Sequence, residues 1–310
     1  MTSMTPEITV VICTFNPRPD YLARVLDSLR TQTLPTERWE LILVDNASTP
    51  PLAPDRAVPG HPQGRVIVEP KPGLAWARKC GHTHARGSLL VYLDDDTVAA
   101  PEFLARAVRH FTADPDLGCA GPGRIIPEFE VEPDPAERRH LHMLALLDLA
   151  GDRRSTAFDV IPPGAGLVCR RSLLDPYFHL LSHDARRSAF GTKGGTLFRG
   201  EDSDMVMTVL SKGAASAQFI DLELRHLIPG FRVTPEYLLR LTRANGASSL
   251  LLKWAWHNPA AAPRPLLRRT LDLARLLLLP RESRRYALAF WQGEHEARTL
   301  MRRLAREPRS

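Results

Sequence analysis

The sequence predicts an α/β protein built around a mostly parallel central sheet, and three observations carry that expectation. Four short apolar runs, "ITVVICTF" (Ile8 to Phe15), "WELILVD" (Trp39 to Asp45), "RVIVE" (Arg65 to Glu69) and "SLLVYLD" (Ser88 to Asp94), read as strands buried on both faces. Helix-period stretches lie between them, giving a β-α-β-α-β order that favours parallel strands and right-handed crossovers. Polar residues gather where three of the runs end: Thr14 and Asn16, Asp45 and Asn46, and Asp94 to Asp96. In open sheets of this kind ligands bind outside the carboxyl ends of the strands.

The elements follow in order. After the first run, "NPRPDYLARVLDSLRTQ" repeats Tyr21, Leu22, Val25, Leu26 and Leu29 at helical spacing behind a Pro/Asp start signal. A Pro- and Gly-rich loop separates the second and third runs, and a helix over about Leu74 to Ala85 leads into the fourth. A further helix, Pro101 to Phe111, carries Phe103, Leu104, Ala107, Val108 and Phe111 on one face. "IPPGAGLVCRRSLL" (Ile161 to Leu174) joins a Gly/Pro turn to a short strand. "FGTKGGTLFRGEDSDM" gives a Gly-rich loop before a helix beginning near Glu201, and "AQFIDLEL" gives a late strand with His226 after it. The charged stretch between Arg124 and Asp159 carries no clear pattern.

The chain has 310 residues, 44% of them hydrophobic and 25% charged, which suits a globular protein with one large domain and an appendage. No apolar run approaches the length of a membrane span, and Met1 to Glu7 lacks the succession of a signal peptide. The four cysteines lie far apart without CxxC spacing, which fits reduced thiols and a cytoplasmic setting. From Phe231 onward there are 16 Lys and Arg against 6 Asp and Glu. This basic tail suits either solvated helix faces or contact with an anionic surface. Within it, "RPLLRRTLDLARLLL" places Leu267, Leu271, Ala274 and Leu278 on one helical face beside the tryptophans of "KWAWHN". Such a stretch packs on the catalytic part, pairs with a second copy, or lies in a membrane interface.

No G-x-G-x-x-G follows the first strand and no GxxxxGK[ST] occurs, so the usual phosphate-cradling loops are missing. An anionic ligand then needs another source of positive charge, and a divalent metal held by carboxylates supplies it. Asp94-Asp95-Asp96 at a strand end is a candidate for that role. The competing explanation, a cap on the helix that follows, accounts for one carboxylate and not for three.

Taken in order, "TVVICTFN…LARVLDSLRTQ", "ELILVDNAS", "PGLAWARKCGHTHARGSLLVYLDDDT" and "GEDSDM" resemble the family 2 glycosyltransferases, over about Ile8 to Arg232. The resemblance implies the GT-A fold, a nucleotide-sugar-binding sandwich, with a nucleotide half over about 1–120, an acceptor half over about 121–232 and a basic helical extension over 233–310. It implies sugar transfer from a nucleoside diphosphate, UDP by preference, to an acceptor hydroxyl in polysaccharide or glycoconjugate synthesis, with Mn²⁺ or Mg²⁺. Carried over residue by residue, Thr14, Asn16, Asp45, Arg78, Asp94 and Asp95 bind the nucleotide sugar. Asp96, Asp94 and His226 hold the metal. Asp202 is the general base, with Glu201 orienting the acceptor or the base. Lys79 stands where the family's "ARN" element has Asn, which leaves that position as a surface lysine.

The same resemblance implies a glycan or lipid-linked acceptor and no nucleic-acid partner. Peripheral contact with the inner face of the membrane, or a homodimer through the C-terminal helices, is the role open to the tail. Two other readings compete: a nucleotidyltransferase that makes sugar nucleotides, and a catalytically idle nucleotide-sugar-binding module. The first typically opens on a Gly-rich basic loop, which "CTFNPRPD" is not.

Overall fold

The computed structural model describes residues 5–52, 58, 61–188, 197, 199–257, 276 and 278–305. The N-terminal part runs β1 (Ile8–Thr14), α1 (Pro19–Arg30), β2 (Trp39–Asp45), β3 (Arg65–Val68), α2 (Leu74–His84), β4 (Leu89–Asp94), β5 (Thr97–Ala99) and α3 (Phe103–Ala113). Next come β6 (Leu117–Phe129), β7 (Leu147–Asp148), β8 (Arg153–Ser155), β9 (Leu167–Arg170), α4 (Asp175–His183), α5 (Glu201–Leu210) and β10 (Ala215–Ile228). Among the described residues beyond β10, the long helices are α6 (Pro235–His257) and α7 (Arg281–Leu304).

Ten strands form one mixed sheet in the order β3-β2-β1-β4-β9-β6-β10-β5, with β7 paired to β6 and β8 to β10. Its parallel pairs carry most of the paired length: β1 with β2 and β4, β2 with β3, and β6 with β10. β9 runs antiparallel between β4 and β6. The register aligns Thr14 with Asp45 and Cys13 with Asp94, so the polar strand ends share one edge.

Every residue of β1 and β2 is buried, which explains their mainly apolar character, and the exception within β2, Glu40, is paired with Thr9, Arg65 and Arg86. Ile8, Val10 and Ile12 join α1 and α3 side chains on one face, and Val11 and Cys13 join α2, α4 and α5 on the other. A fully buried side chain of this size contributes about 1.5–3 kcal/mol, whereas an exposed pair such as Arg24–Glu128 adds at most about 1 kcal/mol. The two-sided core therefore holds the sheet.

The predicted strand at Ile8 to Phe15 ends one residue early, with Phe15 exposed. The late strand is longer than expected and carries His226 inside it rather than beyond it. The stretch between Arg124 and Asp159 contains the end of β6 together with β7 and β8. The expected helical face at Leu267, Leu271 and Ala274 lies outside the described residues. No helix among the described residues is long and apolar enough to cross a membrane.

Candidate active site

The carboxyl edge of the sheet gathers the candidate residues. At the end of β4 the chain turns tightly, with the Asp94 N–H donating to Thr97 Oγ1 over 3.1 Å and that hydroxyl donating back to the Asp94 carbonyl over 3.0 Å. Capping plays no part, because β5 intervenes and the residue preceding α3 is Glu102. Within the turn the carboxylates separate. Asp95 accepts the hydroxyl proton of Thr14. Asp96 turns toward β10, which reaches it because β5 pairs Thr97 with His226. The Asp96 carbonyl accepts the N–H of Leu227 over 2.8 Å.

Asp96 Oδ2 lies 3.5 Å from His226 Nε2 and accepts from Arg232 over 2.8 Å. Burial works against its charge, but His226 and Arg232 prevail and hold its carboxyl below the usual range. Asp94 and Asp95 have the opposite fate. Burial and the neighbouring Asp96 charge push both up, Asp95 to about 7 despite the Thr14 hydrogen bond.

Arg78, from α2, is buried beneath this edge, 3.6 Å from Glu201 Oε1, with its guanidinium carbon 5.6 Å from the centre of the Tyr92 ring. Burial opposes its charge, and the carboxylates of Glu201, Asp94 and Asp202 retain it. This one cation thus connects the end of β4 with the start of α5. A Cβ at Gly164 would meet the Arg78 guanidinium at 2.4 Å, so a side chain there would displace the guanidinium from its present position.

α5 starts after Gly200, whose φ of 111° is open to glycine. Glu201 is buried there, and burial with the adjacent Asp202 charge raises its carboxyl to about 7. Asp202 Oδ2 accepts the Gly164 N–H over 2.9 Å and Oδ1 the Ser203 N–H over 2.7 Å. One turn on, buried Asp204 binds Arg187 and accepts the Trp256 indole N–H over 2.6 Å, with Arg187 lying 4.9 Å over that ring. This contact fastens α6 to α5, and the Arg199 N–H, just before α5, donates to Ser248 Oγ of α6 over 2.8 Å. The Gly-rich loop expected before α5 falls mainly on residues 189–196 and 198, outside the described residues.

The first loop is held by side chains. Asp45 is fully buried, and its two oxygens accept the N–H groups of Ser48 and Leu52 over 3.1 and 2.7 Å. Asn16, at φ 49°, accepts the Thr49 N–H through its side chain over 2.8 Å, while Ser48 Oγ accepts the Asn16 N–H over 2.8 Å. Asn46 ties the carbonyls of Glu69 and Lys71 to the N–H of Gly73, a turn-forming role. Lys79 donates to Ser182 on α4 over 2.6 Å.

Thr14, Asp94, Asp95, Asp96 and His226 therefore gather around the turn after β4, Arg78, Glu201 and Asp202 at the start of α5, and Asn16 and Asp45 shape the adjacent loop. Asp96 and His226 present an oxygen and a nitrogen toward one point, a hard and borderline donor pair that suits Mn²⁺ or Mg²⁺ with phosphate and water ligands. Among the described residues no three His, Cys, Asp or Glu side chains form a ready-made metal cluster. Asp94 thus stands beside the pair without completing a trio. Arg232 was not legible from the sequence. It sits 136 residues from Asp96, and its only signal is its place after the "IPG" turn that follows His226.

The family model described as Glycosyl transferase family 2 matches residues 9–178. Protein CgeD of Bacillus subtilis is 28% identical over 188 residues, covering 57% of this chain and 41% of its own length. Glycosyltransferase AglE of Haloferax volcanii is 28% identical over 111 residues, covering 35% of this chain and 36% of its own. The chain thus spans less than half the length of these curated relatives. Among solved structures, mannosyltransferase PcManGT from Pyrobaculum calidifontis, in complex with GDP-Man and Mn²⁺, is similar in fold. The TM-score is 0.52 at 18% identity, over 98% of this chain and 89% of that one.

Proposed function

The chain belongs to glycosyl transferase family 2, and from that premise we propose that it is a metal-dependent inverting enzyme. It moves a sugar from a nucleoside-diphosphate donor, UDP-linked by preference, to an acceptor hydroxyl in polysaccharide or glycoconjugate synthesis. A glycan or a lipid-linked sugar is the acceptor. The observation that carries the mechanism is the fixed carboxylate of Asp202, held by the Gly164 and Ser203 N–H groups at the start of α5.

An acceptor hydroxyl is a weak nucleophile until its proton is removed. Asp202 takes that proton as the hydroxyl oxygen bonds to the anomeric carbon and the bond to the diphosphate breaks. Attack opposite the leaving group inverts the configuration. Glu201, buried against Arg78, orients the acceptor or the base. Thr14, Asn16, Asp45, Arg78, Asp94 and Asp95 are the residues assigned to the nucleotide sugar, Arg78 by its buried positive charge. Asp96 and His226, with Asp94 at their side, would hold Mn²⁺ or Mg²⁺, which supplies charge neutralisation for the departing diphosphate. A protein of similar fold carries GDP-Man with Mn²⁺, so the architecture accommodates this class of donor. The division of labour proposed along the chain is a nucleotide half over about 1–120, an acceptor half over about 121–232 and a helical extension beyond.

The test is a screen of nucleotide sugars for Mn²⁺-stimulated release of the nucleoside diphosphate, followed by assignment of the product's anomeric configuration by NMR. Release from one donor with an inverted product is expected. A retained configuration would overturn the inverting mechanism, and turnover unchanged by chelation would overturn metal dependence.

A further inference from the structure

Three groups meet where the turn after β4 faces the end of β10. Arg232 NH1 lies 2.8 Å from Asp96 Oδ2 and 3.3 Å from His226 Nε2, and those two acceptors are 3.5 Å apart. A guanidinium only donates, so in the neutral tautomer that can accept from it, the one a metal also needs, His226 Nε2 offers its lone pair and the ring proton sits on Nδ1. His226 Nδ1 and Arg232 Nε are both buried without a hydrogen-bond partner. The carboxylate oxygen and the imidazole lone pair thus converge on one cation, and that cation is a side chain.

These are the same two donor atoms assigned to the divalent ion, and although the Asp96 carboxylate has lone pairs to spare, the single lone pair of His226 Nε2 cannot serve both. We propose that Arg232 is a resident cation seated between Asp96 and His226, and that a divalent ion binds only as Arg232 leaves. The inference rests on the metal assignment to Asp96 and His226. Arg232 is placed to make the exchange. It belongs to the short Gly230–Val233 turn between β10 and α6, and its side chain is 29% exposed against 11% for that of Asp96. The exchange keeps Asp96 paired before the metal arrives, avoiding a buried unpaired charge. Its cost falls on affinity: if the seat is free in a tenth of the molecules, the apparent Kd is about tenfold weaker than that of an empty seat.

Mn²⁺ binding without nucleotide, read from the electron paramagnetic resonance signal of the free ion, tests this directly. Arg232→Gln and Arg232→Met remove the charge, and Met keeps much of the aliphatic stem should Gln disturb folding, which circular dichroism checks. Each folded variant should bind Mn²⁺ about tenfold more tightly than the parent, with Asp96→Asn abolishing binding in either background. Mn²⁺ affinity that requires Asp96 yet is unchanged or weakened without Arg232 would overturn the exchange while leaving the metal site standing. No Mn²⁺ binding by parent or variants, with or without UDP, would overturn both.

Discussion

The backbone N–H of Gly164 donates to Asp202 Oδ2 over 2.9 Å, and the same glycine leaves room for the Arg78 guanidinium that faces Glu201. One residue without a side chain therefore sets the position of the assigned base and of the cation behind it. Each Asp202 oxygen accepts a single N–H, so both keep a lone pair for an acceptor proton.

Asp202→Asn keeps the shape and loses the proton-accepting charge. Turnover should fall by about 10²–10⁴ while donor affinity changes little. Steady-state kinetics with a separate donor-binding measurement checks this, and near-normal kcat would exclude Asp202 as the base.

Asp96→Asn should abolish Mn²⁺-dependent UDP binding, and His226→Ala should weaken it by at least about tenfold. Isothermal titration with and without chelator distinguishes the two effects. Undiminished binding by both variants would remove the pair from the metal site.

Glu201 is raised from its ordinary value of 4.5 to about 7 by burial and the Asp202 charge. Between those values the unfolded chain ionises this group while the folded chain keeps the proton. Folding stability therefore drops as pH rises through that window and is greatest below it. Glu201→Gln cannot titrate, so its melting temperature should gain on the parent's between pH 5 and pH 8. A constant gap between the two melting curves would show that Glu201 is not the raised group.

α6 and α7 cross at two glycines: a Cβ at Gly246 would meet the Phe290 carbonyl at 2.1 Å, and one at Gly293 the Arg243 carbonyl at 1.8 Å. Alanine favours a helix over glycine by about 1 kcal/mol, but prising the crossing apart costs about 1–3 kcal/mol. Gly246→Ala should therefore lower the denaturation midpoint rather than raise it.

The parts of the fold that were legible are those whose cause is local. β1, β2 and β4 announced themselves because burial on both faces favours apolar, β-branched side chains along nearly their whole length. β6 did not, although it is long, because glycines and prolines break its pattern at Gly118, Gly121, Pro122, Gly123 and Pro127. At Gly123 a Cβ would meet the Ile220 backbone at 2.7 Å, so its identity answers to a neighbour far away in sequence. The antiparallel course of β9 is likewise a matter of partners. In the site, the three aspartates stood out by repetition and strand-end position. Arg232 and the Asp204–Trp256 contact arise where distant segments meet, and no local pattern encodes them.

That last contact has a consequence for cooperativity. The Asp204 carboxylate is shared by Arg187 and by the indole of Trp256, so α5 and the end of α6 cannot fray independently. Since α5 also begins with Glu201 and Asp202, loosening of the tail is transmitted to the alignment of those carboxylates. Amide exchange should then report one opening unit spanning both helices, and mild heating should erode turnover before it erodes the sheet. The end of α6 is thus a strut for the start of α5 rather than an accessory.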